Sequence, residues 1–536
     1  MPYCLLLAAL LLPATALAQW LPDTFATHLP LLLINAAGPI VDEPKVMATL
    51  RLIDNGPDSL NHAGDAASGY DGWVGIEVRG QSSQNWAKKS FGIETRWADG
   101  SNRNVSLLGL PEENDWVLYA PYFDRTLLRN VLVYGLGAEL FAYSPRTRLV
   151  EVGLNGFYHG VYVLTEKIKR DPQRVDIAKL EVDPTGGYLL RIDKGADSTN
   201  AFPSAVPAPG TDTTVFFQYH DPKPDELSAA QKDYIQDYVA RAEAALAGPW
   251  FKHPQLGYAA YFDVPSLVDY FLLSELTRNV DAYRISTYLY KHADGDGGKL
   301  HLGPVWDYNL ALGNILSCDS ESTEGWAYEL NAVCPTTAHP VPFWWARLRT
   351  DPAFERQLRA RYTELRETAW STSRLAERLA AYADHLGEAA QRNRTRWPIG
   401  SDHAAFEGAT YADELLYLEN WIADRLAWLD EQLELSDDVH ADPHQTLTAV
   451  EGPPNADWYV RCDNAGHLYV GGLDRPARLE LFDLRGVRLG SFPVAPVGEE
   501  QLLTRLAHPP GVYLTRLRDD RRTYGGHSVV LPGRGR

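Results

Sequence analysis

Apolar and polar residues alternate strictly from Trp73 to Val78, which puts Val74, Ile76 and Val78 on one face of a half-buried strand. The stretch Lys88–Arg96 predicts its hairpin partner, and Leu29–Ile34 predicts a buried strand before it. Arg148–Leu154 and Tyr158–Ile168 read as two more strands, joined at Asn155-Gly156, a strong hairpin signal. A further strand is expected from Gly187 to Asp193, and the Pro-, Ala- and Thr-rich residues 196–214 read as a loop or insertion. One helix is predicted among these strands, opened by Asp124 as a cap and running to about Phe141.

After residue 225 the apolar spacing lengthens to that of helices, over Ser228–Leu246, Pro265–Arg278 and residues 353–369, 372–396 and 410–435. A hairpin interrupts them. Ser286–Tyr290 and Lys299–Leu302 are its strands, and Asp294-Gly295-Asp296-Gly297-Gly298 is its turn. Strands first and helices second give an α+β chain. Residues 436–456 read as a linker, and short strands return at Leu468–Val470, Ala477–Phe482, Gly511–Leu517 and His527–Leu531, the pattern of a small β-sandwich over 457–536.

Composition narrows the function classes. With 50 basic and 70 acidic residues the net charge is −20, which opposes sequence-independent binding to nucleic acid or to an anionic membrane. Against that background Arg79, Lys88, Lys89, Arg96 and Arg103 form a basic island. Residues 1–18 carry an apolar run, Leu5–Leu12, and then small residues up to Ala18, the pattern of a signal peptide cut before Gln19. No later apolar stretch approaches the roughly 18 residues that span a bilayer, so an exported protein without a transmembrane segment is expected. Its remaining cysteines, Cys318, Cys334 and Cys462, allow two readings: a Cys318–Cys334 disulfide with Cys462 unpaired, or three thiols.

Asp281 and Asp307 are the candidate chemistry, because the intervening hairpin returns the chain and brings the second acid near the first. A base Asp, a ligand five positions on (here Ser286), a hairpin and a metal-holding Asp is also the layout of protein kinases. A pair of capping carboxylates is the other reading. The Arg79-Gly80-Gln81-Ser82-Ser83 loop reads either as a polar hairpin loop or as a phosphate cradle backed by a lysine of the next strand. Lys88 and Lys89 point to opposite faces of that strand, so at most one faces a nucleotide.

Asn279-Val280-Asp281-Ala282-Tyr283 and Trp306-Asp307-Tyr308-Asn309 resemble the two signature segments of the spore-coat protein H (CotH) kinase family. Arg79–Ser83, Lys88–Phe91, Asp115–Leu118, Leu128–Asn130 and Val161–Lys167 follow in the family's order, and the likeness covers roughly residues 28–435 of a domain expected over 19–435. The resemblance implies a two-lobed protein-kinase-like fold that binds ATP with Mg²⁺ or Mn²⁺ and phosphorylates a hydroxyl, most simply Ser or Thr, of a secreted or surface protein. Asp281 is then the base, and Asp307 with Ser286 holds the metal. Arg79, Ser82, Ser83 and Lys88 or Lys89 clamp phosphates, while Glu166, in a segment like a kinase hinge, marks the adenine end. The helix from Asp124 suits the kinase αC position, with Arg129 expected to be solvated or in a local ion pair.

Two residues depart from the family pattern. Ser286 stands where an Asn ligand is usual and Asn309 where a second Asp is frequent, so a catalytically weak or inactive adhesin or scaffold is the alternative. The segments Leu479–Gly486, Pro510–Leu514 and Val529–Leu531 resemble the C-terminal sorting domain of type IX secretion cargo, which implies the type IX machinery as a partner.

Overall fold

The computed structural model describes residues 19–398, residues 405–434 and seven strands between Tyr459 and Leu531. The expected signal peptide and linker lie outside the described residues. Compact units comprise residues 1–428 and 429–536.

Ten strands come first in the larger unit: β1 (Gln19–Trp20), β2 (Ala26–Thr27), β3 (Leu31–Ala36), β4 (Val46–Ile53), β5 (Asn61–His62), β6 (Tyr70–Arg79), β7 (Ser90–Arg96), β8 (Asp115–Tyr119), β9 (Thr147–Leu154) and β10 (Phe157–Glu166). Seven of them close on themselves, in the order β10-β8-β7-β6-β4-β3-β9 and back to β10. All neighbours are antiparallel except β3 and β9, which run parallel from Leu31↔Glu151 to Ile34↔Leu154. The alternation explains the closure. Residues two apart on each strand, such as Leu32 and Ile34, Val74 and Ile76, Phe91 and Ile93, Trp116 and Leu118, or Val150 and Val152, enter one buried cluster. A barrel satisfies its strand edges internally, so each strand needs only one apolar face.

Helix α1 (Arg129–Leu140) sits between β8 and β9. It starts four residues later than expected because Asp124 lies in the preceding turn and reaches forward, its Oδ2 accepting from Arg129 N at 2.7 Å. A second sheet, in the order β12-β13-β11-β14-β15, is built from β11 (Tyr188–Ile192), β12 (Ala201–Pro203), β13 (Phe216–Asp221), β14 (Thr287–Lys291) and β15 (Leu300–Leu302). β12 lies within residues 196–214, expected as loop, and pairs with β13.

Helices α2 (Ala229–Ala247), α3 (Val264–Thr277), α4 (Leu330–Val333), α5 (Trp344–Leu348), α6 (Pro352–Glu367), α7 (Thr372–Leu386), α8 (Glu388–Arg396) and α9 (Tyr411–Gln432) make up the rest. The helix expected over 372–396 is broken at Gly387, whose φ of 47° glycine adopts at low steric cost. α3 is central: every residue from Leu267 to Thr277 is buried, so its pattern is apolar all round rather than amphipathic. It ends at Arg278 in the left-handed region and delivers the chain to Asp281. Among the described residues no helix is long and apolar enough to cross a membrane.

In the smaller unit β16 (Tyr459–Cys462), β17 (His467–Gly471) and β20 (Gln501–Arg505) form one sheet. β18 (Ala477–Phe482), β19 (Arg488–Val494), β21 (Gly511–Arg518) and β22 (Thr523–Leu531) form another. Val460, Leu468 and Val470 of the first share a buried cluster with Leu479, Leu481 and Val494 of the second.

Candidate functional site

A cavity of about 450 Å³ in the larger unit is walled by the ends of β6, β8, β10 and β11, by α1, and by the segments around Asp281 and Asp307. Sheet register explains part of the gathering. Ile192 pairs with Thr287, so Asp193, just past β11, and Ser286, just before β14, meet at one end of the sheet. Both line the cavity with Asp281 and Asp307.

α1 positions Asp307. Asn130 and Tyr134 are four apart and share a helix face; the Asn130 Oδ1 accepts from Tyr308 N at 2.8 Å and the Tyr134 hydroxyl accepts from Asp307 N at 3.0 Å. Arg129 is buried, not solvated as its charge suggested. It pairs with Asp124 at 2.7 Å and donates to the carbonyls of Ala311 and Leu312 at 3.1 and 3.2 Å. The acid of this helix, Glu139, pairs with Arg378, so no helix-to-lysine ion pair forms. Tyr283, Ser286 and Asp307 have φ of 70°, 50° and 63°, a left-handed backbone that costs non-glycine residues on the order of 1–3 kcal/mol and gathers at functional sites.

Burial pushes the Asp307 carboxyl up to about 6, helped by the charges of Asp281 and Asp193. Asp281 is raised by burial too, while Arg284, whose Nη2 is 3.3 Å from its Oδ1, acts against the shift. Behind Asp307, Cys318 and Cys334 are bonded, and the loop they close is tied to the end of α3. Buried Glu275 accepts from Ala327 N and Tyr328 N at 2.7 and 3.0 Å, and Arg425 reaches Glu275 O, Thr323 O and Gly325 O at 2.8, 2.9 and 2.7 Å.

The basic residues separate. Arg79 lines the cavity with its guanidinium 5.6 Å from the Trp306 ring centre, and its Nη1 is buried without a hydrogen-bond partner. Lys88 borders the same space, yet its ammonium turns away, donating to Val161 O and to Asn393 Oδ1, the latter at 2.8 Å, over the Tyr162 ring. Burial holds it well below the usual lysine range. Lys89 donates to Gln84 O and is outside the cavity wall. Neither lysine therefore points where phosphates were expected. Ser83 lines the cavity, and the Ser82 side chain lies outside the described residues.

Glu166 also departs from expectation. It is fully buried and bound to Arg146 at 2.8 Å, outside the cavity, where its neighbour Thr165 takes part in the wall instead. Asp193, Lys194 and Arg191, which the sequence reading did not single out, are on that wall. Their only local signal is an Arg-x-Asp-Lys run at the end of a predicted strand.

Among the described residues no group of three His, Cys, Asp or Glu side chains is placed to enclose a metal. A full cage is not required for Mg²⁺, which commonly takes one or two carboxylates and completes its shell with phosphate and water oxygens. The oxygen donors of Asp307, Ser286 and Asn309 suit that hard ion, and the unpaired Nη1 of Arg79 suits an anion beside it.

These placements fix an expected contrast. Arg79→Met weakens Mg·ATP binding about tenfold or more, the scale of one lost charge-assisted hydrogen bond, while Lys88→Met changes it by less than about threefold. Calorimetric titration of both variants measures it.

A comparison with curated proteins finds no match. The family model described as CotH kinase protein matches residues 76–429, well over half of the chain, from within the strand that carries Arg79 into the helix that carries Arg425. With its paired aspartates brought into one cavity, this kinase-like chain belongs to the CotH kinase family.

Proposed function

We propose that the protein is an atypical protein kinase that moves the γ-phosphoryl group of ATP to a protein hydroxyl. The observation that carries this reading is the single cavity shared by Asp281, Asp307 and the unpaired guanidinium of Arg79. In it Asp281 orients the acceptor hydroxyl and takes its proton, Arg284 holds the Asp281 carboxylate in place, and Arg79 binds phosphate oxygens. Asp307 and Ser286 are the groups to hold Mg²⁺ or Mn²⁺. When bound, that ion supplies the positive charge that offsets the triphosphate. The barrel side then plays the part of one kinase lobe and the helical side the other.

The chemistry of the two ends supports an exported protein. The apolar leader over residues 1–18, the disulfide and a C-terminal region read as a β-sandwich sorting domain agree with secretion or surface display by the type IX route, with a secreted or surface protein as acceptor.

A weakly active adhesin or scaffold is the second reading, favoured by Ser286 and Asn309, both on the cavity wall where stronger metal ligands are usual. Purified protein incubated with γ-labelled ATP, Mg²⁺ or Mn²⁺ and co-secreted proteins separates them. Label on a protein hydroxyl supports the kinase; melting that ignores ATP and metal, together with cell-surface binding, supports the scaffold.

A further inference from the structure

We propose that Lys194 is a catalytic residue: its ammonium binds the γ-phosphoryl group in the cavity of Asp281 and Asp307 and carries that group's charge during transfer. The proposal rests on the phosphoryl-transfer reading above and fills a gap left by the geometry. Lys88 is bound to Val161 and Asn393, and Lys89 to Gln84, so neither of the lysines just before β7 has its ammonium free for a phosphate.

Lys194 has the opposite character, a fixed backbone and an unengaged head. Its N–H donates to Asp193 Oδ1 at 2.8 Å and its carbonyl accepts from Gln218 Nε2 at 2.8 Å. Gly195 follows with φ of 72°, packed so closely that an added Cβ meets Gln81 Nε2 at 2.9 Å, and this seats the residue against the Arg79–Ser83 loop. Among the described residues the Lys194 ammonium makes no hydrogen bond and no ion pair, although the side chain is partly buried on the cavity wall. Two neighbouring cations are engaged: Arg191 binds Gln218 at 2.9 Å and faces Asp193 at 3.5 Å, and Arg284 faces Asp281. The charge of Lys194 favours the ionised form of both Asp281 and Asp307, which places it within electrostatic reach of both carboxylates.

A free ammonium held on a rigid backbone near two carboxylates has a clear use in this reaction. As the acceptor oxygen forms its bond to Pγ, the bond from Pγ to the β–γ bridging oxygen breaks, ADP keeps that electron pair, and the hydroxyl proton passes to Asp281. The three equatorial oxygens retain their negative charge throughout, and Lys194 donates hydrogen bonds to them without exchanging a proton.

The test uses the full chain and the Lys194→Met and Lys194→Arg variants, with Mg·ATP and Mg·ADP as probes in calorimetry and labelled ATP in transfer. Because the ammonium makes no hydrogen bond or ion pair and acts on Asp281 and Asp307 only through its charge, Lys194→Met melts close to wild type without ligand. It lowers kcat about 10²–10³-fold, the scale of one lost transition-state donor. It also removes the preference for Mg·ATP over Mg·ADP to within about twofold, since ADP lacks the group that Lys194 binds. Lys194→Arg restores part of both. If wild type binds nucleotide and transfers phosphate while Lys194→Met keeps its rate and its preference, the Lys194 proposal alone is overturned. Reduced transfer with unchanged preference and a lowered melting temperature assigns Lys194 a structural role and overturns it as well. A wild type that binds neither nucleotide overturns the kinase reading and this proposal together.

Discussion

Asp307→Asn abolishes metal-dependent ATP binding and makes the nucleotide-free protein more stable at neutral pH. The two effects share one cause. In the free protein the Asp307 carboxyl is deep in the cavity with Asp281 and Asp193 nearby, and its affinity for a proton is raised to about 6 from an ordinary 3.8. A carboxyl whose folded value lies above its unfolded value opposes folding once ionised. Its penalty is absent below about pH 4, grows as pH rises to about 6, and is complete at pH 7, where two units amount to roughly 2–3 kcal/mol. Asparagine keeps the shape, removes the charge and removes that pH dependence. It also removes the carboxylate assigned to the metal, so Mg·ATP no longer raises the melting temperature. Thermal melts from pH 4 to pH 8, with and without Mg·ATP, read both effects. A variant that melts no higher than wild type at pH 7, or that still responds to Mg·ATP, rejects this role for Asp307.

Asp281→Asn separates binding from chemistry. Its carboxylate is held by Arg284 and lies on the same cavity wall as Ser286, but phosphate binding falls to Arg79 and metal binding to Asp307. Transfer to the acceptor drops about 10²–10⁴-fold, the range for a positioned general base. Mg·ATP affinity stays within about threefold of wild type. Single-turnover transfer measured beside calorimetric binding gives the comparison. Equal losses in both show that Asp281 serves the nucleotide and not the acceptor.

Local pattern carried much of the fold. The alternation at Val74 and Ile76, the Asn155-Gly156 turn and the hairpin between Ser286 and Leu302 are properties of neighbours in sequence, and all three appear where expected. Closure of the barrel was not legible, because it depends on a parallel pairing of β3 with β9, strands more than a hundred positions apart and alike in composition to strands that pair otherwise. The same limit governs the site. Asp281 and Asp307 were readable since one hairpin joins them. The fate of Lys88 was not, since its partner Asn393 lies 305 positions further along. Glu166 was assigned by its place in a strand, but Arg146, on the partner side of the β9–β10 hairpin, decides where its carboxylate goes. Asp193 ended a strand that was expected and Lys194 followed it; only the pairing of β11 with β14 reveals that this end meets Ser286.

The seal that α8 places on the barrel has a consequence for synthesis. Asn393 binds Lys88 and Val161 N, Arg392 binds Glu151 at 2.7 Å, and Trp397 donates to His159 O at 2.8 Å. A chain that emerges from its N-terminus first has all its barrel strands in hand after Glu166, yet the buried ammonium of Lys88 has no side-chain acceptor until more than two hundred further residues have followed. Until then Lys88 has only the Val161 carbonyl within the barrel, one of the long-range contacts on which this unit depends. Fragments that stop short of α8 leave Lys88 without Asn393 and Glu151 without Arg392, and are expected to melt below the full unit.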